Sequence, residues 1–169
     1  MDVTADELAG VVDLFGGLTR AELERALTEA AFRADGQSID EAAFADAIDR
    51  AVESFALVRY ERPGADGGAS TDGGADDAGP LLVAGPTAFP TVPEHAEDVP
   101  HILDVEPRRF DREALGERAR ERFVDAVDRA IEADDDDRID RLIDVSYDIE
   151  AWAPIDVTEH RQRLEEVLE

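Results

Sequence analysis

Three times within the first 41 residues a hydroxyl side chain stands three positions ahead of a glutamate, and each time an apolar stripe follows. Thr4 precedes Glu7, Thr19 precedes Glu22 and Ser38 precedes Glu41. This is the spacing of a capping box, in which the hydroxyl accepts from one orphan amide of the first helical turn and the carboxylate accepts from another. Behind the first box Leu8, Val11, Val12 and Phe15 recur at the helical interval, and Gly16-Gly17 stops the run. Behind the second come Leu23, Ala26, Leu27, Ala30 and Ala31, ending near Asp35-Gly36. Behind the third come Phe44, Ile48, Ala51, Val52 and Phe55. The spacing predicts three amphipathic helices joined by short turns and packed through their apolar faces.

The period then changes. Residues 56–60 (Ala56, Leu57, Val58, Arg59, Tyr60) and 81–84 (Leu81, Leu82, Val83, Ala84) are short β-prone runs bounded by glycine or proline. Between them, residues 63–80 hold six glycines, four aspartates, four alanines, one serine, one threonine and two prolines, with nothing larger to bury. A segment of this composition is expected to stay disordered. Its length does not forbid pairing of the flanking strands, because closure entropy grows only logarithmically. Residues 85–107 carry five prolines and no arginine, so they are expected to run extended along a surface as a strap.

A second helical unit follows over 108–169. Leu115, Ala119, Phe123, Val127 and Ile131 form a stripe that begins near an Asp111 cap and is broken at Asp134 to Asp137. Ile139, Leu142, Ile143 and Ser146 open another helix that ends before Pro154, and Thr158 is placed as the cap of a last helix carrying Leu164, Val167 and Leu168. Tyr147 and Trp152 are read as an anchor for that last helix. The fold class expected is mainly α with a small β-hairpin. Residues 1–84 form an N-terminal unit, 85–107 the strap and 108–169 the C-terminal helical unit.

Composition sets the solvent. The chain of 169 residues has 43 acidic against 17 basic side chains, every basic one an arginine, and a formal net charge of −26. At low salt such a charge strains a compact fold through self-repulsion. At about 1 M salt the Debye length falls to about 3 Å, and the same charge becomes a soluble, hydrated surface. The composition is that of a cytoplasmic protein from an extreme halophile that accumulates salt. Without cysteine there is no disulfide framework, thiolate zinc site or cysteine nucleophile. The start Met1-Asp2-Val3-Thr4 lacks the regions of a secretory signal, and no apolar run approaches the roughly 18–20 residues of a membrane span. No membrane partner is expected.

Three helices followed by a β-hairpin is an order that resembles the winged helix-turn-helix class, with residues 63–80 as an extended wing tip. The text from Asp6 to Phe15, followed by Leu18-Thr19-Arg20-Ala21-Glu22-Leu23, also resembles a family of small haloarchaeal proteins known as a domain of unknown function. The first resemblance implies that residues 40–55 occupy the position of a DNA-reading helix. The second implies a habitat and no chemistry.

That helix offers Asp40, Glu41, Asp46, Asp49 and Glu53 as exposed positions, with Arg50 the one residue suited to base or phosphate contact. In molar salt the counterion-release drive for DNA binding is small, so an acidic DNA binder still needs a local face that is not acidic. Binding another protein is the reading preferred, with DNA-binding regulation as the alternative. Residues 108–129 are the one stretch that is not acidic, and Arg108, Arg109 and Arg112 are candidate macromolecule contacts at a helix start. Against this, Arg109–Glu113, Asp125–Arg129, Glu117–Arg120, Arg118–Glu121 and Arg122–Asp125 have the spacing of a salt-bridged solvated face.

Asp134 to Asp137 lacks the glycine and the twelfth-position glutamate of a calcium loop. His95 and His101 have no i,i+4 partner, and His160 stands alone. The glycines of 64–79 precede no lysine or helix start, and no serine sits at a nucleophile elbow. No metal, no cofactor and no catalytic residue is therefore expected, and oligomeric state is not encoded in any pattern here.

Overall fold

The computed structural model describes residues 3–35, 40–61, 79–91 and 108–169. Among them run α1 (Ala5–Phe15), β1 (Leu18–Thr19), α2 (Arg20–Asp35), α3 (Glu41–Glu53), β2 (Leu57–Tyr60), β3 (Leu81–Ala84), α4 (Arg112–Glu132), α5 (Asp136–Trp152) and α6 (Thr158–Leu168). The fold is mainly α with a small antiparallel sheet, as expected. The chain divides into two compact units, Met1–Arg109 and Phe110–Glu169.

In the first unit two of the three boxes close as spaced. The Thr4 hydroxyl accepts from the Glu7 amide at 3.1 Å while Glu7 accepts from the Thr4 amide at 2.9 Å. Thr19 and Glu22 repeat this at 3.2 and 2.9 Å, but buried. The third start is corrected: Asp40, not Ser38, caps α3, its carboxylate accepting from the Ala42 amide. Aspartate is as good a cap as serine, so the helix can begin two residues later without losing its cap. Ser38 lies outside the described residues.

The predicted stripes of all three helices are buried. Leu8, Val11, Val12, Leu23, Ala26, Leu27, Phe44, Ile48, Ala51 and Val52 meet Leu18, Leu57 and Leu82 of the sheet in one core. The sheet has one strand more than the sequence suggested. Its order is β1-β3-β2, both pairings antiparallel, with Leu18 opposite Leu82 and Val58 opposite Val83. A two-residue strand carries no alternation to read, which is why β1 escaped notice. Residues 62–78, which hold nearly all of the expected disordered insertion, lie outside the described residues, as does 92–107 of the strap.

Residues 85–91 of the strap are tied to two helices. The Gly85 and Thr87 amides donate to Ala56 and Phe55 at the end of α3, and the Phe89 and Thr91 amides donate to the side chain and carbonyl of Asp6 on α1. Gly10, one turn beyond Asp6, is buried under this crossing, and a Cβ there would collide with the Thr91 backbone. A glycine inside a helix costs about 1 kcal/mol against alanine. Close approach of another backbone is what requires it here.

The second unit is three helices. Leu115, Ala119, Phe123 and Val127 of α4, Ile139, Leu142, Val145 and Ile149 of α5, and Leu164 of α6 are among its buried apolar residues. Asp111 caps α4 as expected. The four aspartates are exposed: Asp134 takes φ 50° in the turn, Asp135 caps α5 by accepting from the Arg138 amide, and Asp136 and Asp137 lie in the first turn of α5. The start of α6 is corrected: Thr158 is its first residue, not its cap. Asp156 accepts the Thr158 amide instead, which frees the threonine hydroxyl to donate to Glu150.

Candidate macromolecule interface

Burial of Phe44, Ala47, Ile48, Ala51 and Val52 turns the remaining positions of α3 outward. Asp40, Glu41, Asp46, Asp49, Arg50 and Glu53 are all exposed, the set expected from the sequence. Asp46, Asp49 and Glu53 follow one another at three and four residues and form a carboxylate row along the helix. The Arg50 Nε donates to the Asp46 carbonyl at 3.3 Å, which lays its side chain back along its own helix. Arg59 of β2 reaches Asp49 at 3.6 Å, an exposed pair worth a few tenths of a kcal/mol, roughly, to stability.

The other three candidate contacts have different surroundings. Arg108 turns into the N-terminal unit, donating from Nη1 and Nη2 to the two oxygens of Glu22 at 2.7 and 2.8 Å and from Nη1 to the Gly17 carbonyl at 2.9 Å. Its amide also donates to the Phe15 carbonyl at 2.7 Å. Arg109 is exposed. Arg112, the first residue of α4, stacks over the Trp152 ring at 4.8 Å. Farther along α4, Arg118–Glu121 and Glu117–Arg120 pair at 3.2 and 3.8 Å, as their spacing foretold, and Arg163 of α6 reaches Asp128 at 2.9 Å.

A polar cluster that sequence reasoning missed sits between α5 and α6. Arg161 donates to Glu150 at 2.9 Å and to the Ser146 hydroxyl at 3.2 Å, and its guanidinium lies 4.2 Å from the centre of the Tyr147 ring. Glu150 also accepts from the Val157 amide and the Thr158 hydroxyl. Burial raises the Glu150 carboxyl, but the hydrogen bonds from Arg161, Val157 and Thr158 together with the Arg161 charge outweigh it, leaving the group below the ordinary carboxylate range. Asp156 is lowered by the side chain and amide of Thr158. Asp148 is raised by partial burial and by the neighbouring Asp144 charge. Of the two aromatic residues expected to anchor the last helix, Tyr147 meets it through Arg161, while Trp152 is met by Arg112 of α4.

Both missed pairs left a trace in the sequence. Glu22 shares a helical face with the buried Ala26 and Ala30, and Arg161 follows the buried cap residue Val157 by four and precedes the buried Leu164 by three. A charged residue on an apolar face announces a partner but does not say which. Among the described residues no group of three His, Asp or Glu side chains could hold a metal ion. His95 and His101 lie outside the described residues. The His160 Nδ1 is buried and has no hydrogen-bond partner. No helix among the described residues is long and apolar enough to cross a membrane.

No curated protein and no solved structure matches the chain. The model of a family of unknown function, DUF7109, matches residues 6–169, and the chain belongs to that family.

Proposed function

We propose that this chain is a halophilic, cytosolic haloarchaeal protein without catalytic activity, and that its N-terminal unit is a winged-helix-like module that binds another protein. The element order helix, strand, helix, helix, strand, strand and the sheet order β1-β3-β2 support the winged-helix reading. The observation that carries protein over DNA is the outward side of α3, where five exposed carboxylates surround Arg50. Facing phosphates, such a helix is repelled. Each good bidentate base contact supplies only about 1–3 kcal/mol of discrimination, and one arginine gives one contact at most. Facing a protein, the row Asp46, Asp49 and Glu53 fits guanidinium groups at helical spacing. Affinity purification of the tagged protein at molar potassium chloride tests this reading: recovery of a defined protein partner, weakened by charge reversal at Asp46 and Asp49, is the expected result.

A winged-helix regulator is the second reading: if the element order is that of a winged helix, α3 is the helix that would read DNA. Chromatin recovery of wild type and Arg50→Glu side by side separates the two. Sequence-specific enrichment that vanishes in the variant favours the regulator; recovery that is absent from both favours the protein binder.

A further inference from the structure

We infer that Arg108 and Glu22 form a latch, a contact that opens without unfolding the N-terminal unit and that molar salt does not weaken. The carboxylate side is built into the fold. Glu22 is fixed on the first turn of α2 by its capping box with Thr19, and its side chain is 2% exposed. The arginine arrives from 86 positions away, makes a two-pronged contact, and keeps 21% of its side chain exposed. Its backbone is held at the same corner, where its amide meets the Phe15 carbonyl and a Cβ on Gly16 would collide with the Arg108 carbonyl.

Two features make this a latch and not part of the core. Among the described residues the apolar core of this unit draws on side chains up to Ala88 and none beyond it. Arg108 is not a member of that core, so withdrawing it takes no core side chain with it. Glu22 also keeps the Thr19 amide when Arg108 leaves, and water entering the vacated corner can solvate the other oxygen. The closed position is favoured because a buried carboxylate without its cation is costly. Salt ions screen charges across water and cannot enter a contact of 2.7 Å, so the latch keeps its strength where the exposed pair Arg118–Glu121 loses its own.

Trypsin reads the latch directly, because Arg108 and the exposed Arg109 are both cleavage sites. The full chain is digested as wild type, Glu22→Gln and Arg108→Lys, which all keep a cleavable residue at both positions, in 0.2 M and 2 M potassium chloride (roughly one and many times ordinary ionic strength). The fragments are followed by mass spectrometry. When cleavage follows the open population, losing the pair raises the rate after 108 and 109 by about tenfold or more. The expected result is that rise in both variants and at both salt concentrations, with cleavage after Arg20, Arg25, Arg50 and Arg59 unchanged. Equal acceleration at those four arginines would mean that the contact opens only with global unfolding, and the latch is overturned. No acceleration at 108 and 109, or a wild-type rate there that climbs with salt relative to Arg141, would overturn it as well.

Discussion

Each unit is organised around an arginine–glutamate pair, but the two units bury opposite ends of it. In the N-terminal unit the carboxylate is the inner partner, with Glu22 2% and Arg108 21% exposed. In the C-terminal unit the guanidinium is inside, with Arg161 11% and Glu150 26% exposed. The first pair joins residues 86 apart and the second joins residues 11 apart. A buried carboxylate has few lone pairs, and a capping amide and one bidentate arginine go far to satisfy them. A buried guanidinium has five N–H groups, and it is tolerated because Ser146, Thr158 and the Tyr147 face receive what Glu150 cannot. One pair returns a distant segment to a corner. The other seals a short connection between consecutive helices.

The units also share a helix ending and use it differently. After α3, Phe55 takes φ 66°, its amide donating to Val52 and the Ala56 amide to Ala51. After α4, Asp134 takes φ 50°, its amide donating to Ile131 and the Asp135 amide to Ala130. Both are Schellman turns with a left-handed residue that is not glycine. Phe55 is 1% exposed and Asp134 is on the surface. Packing holds the first in its unfavourable conformation, and nothing comparable offsets the second.

The largest expected effect is collective and tests whether the units share a solvent requirement. With 43 acids against 17 arginines, repulsion is spread over both, and the melting temperature should climb steeply with potassium chloride. Far-UV circular dichroism reports both units, while the single tryptophan, Trp152, reports the second alone. A midpoint that does not move between 0.1 and 2 M (about one and many times ordinary ionic strength) would end the halophilic reading.

Next come the buried groups. Phe55→Ala should cost about 3–5 kcal/mol, since the loss of a buried ring exceeds any backbone relief. Arg108→Met should cost about 3–5 kcal/mol by stranding Glu22, while the double variant with Glu22→Met should recover most of it. The matching change Arg161→Met should cost less, about 1–3 kcal/mol, because the Glu150 it leaves behind is already 26% exposed, against 2% for Glu22, and keeps Val157 and Thr158. Denaturant melts rank the three. An Arg161 variant weaker than the Arg108 variant would reverse the contrast between the two pairs.

A smaller effect follows acid. The Glu150 carboxyl lies below its unfolded value, so its contribution is complete above the ordinary carboxylate pKa and is lost as pH falls through the depressed one. Asp148 has the opposite sign: raised in the fold, it opposes stability once it ionises. The Trp152-monitored melt of Glu150→Gln should therefore show a shallower loss of stability on acidification than wild type. Asp148→Asn should raise the midpoint at neutral pH and leave it unchanged in acid. The smallest effect is at Asp134. Glycine there relieves the left-handed backbone and should stabilise the C-terminal unit by about 0.5–1 kcal/mol. Phe55→Gly, the same exchange at the same position of the other turn, should destabilise.

What the linear order of residues determined is local. Caps at Thr4, Thr19 and Asp111, the apolar stripes, the stop at Gly16 and the exposed acids of α3 follow from spacing, because a helix repeats every 3.6 residues whatever surrounds it. The outward position of Arg50 was legible for that reason, since it is fixed once the inward ones are known. Where two local solutions compete, spacing does not choose: Ser38 and Asp40 are both good caps, and only the packing of Phe44 and Ile48 sets which turn begins α3. Tertiary structure alone decided the third strand, where Leu18 and Thr19 become a strand by meeting β3, and the partner of each buried charge. Arg108 reads as a surface contact in a basic run, and Arg161 as one more helical arginine, because a charge shows its need for a partner locally while the partner is supplied by the fold.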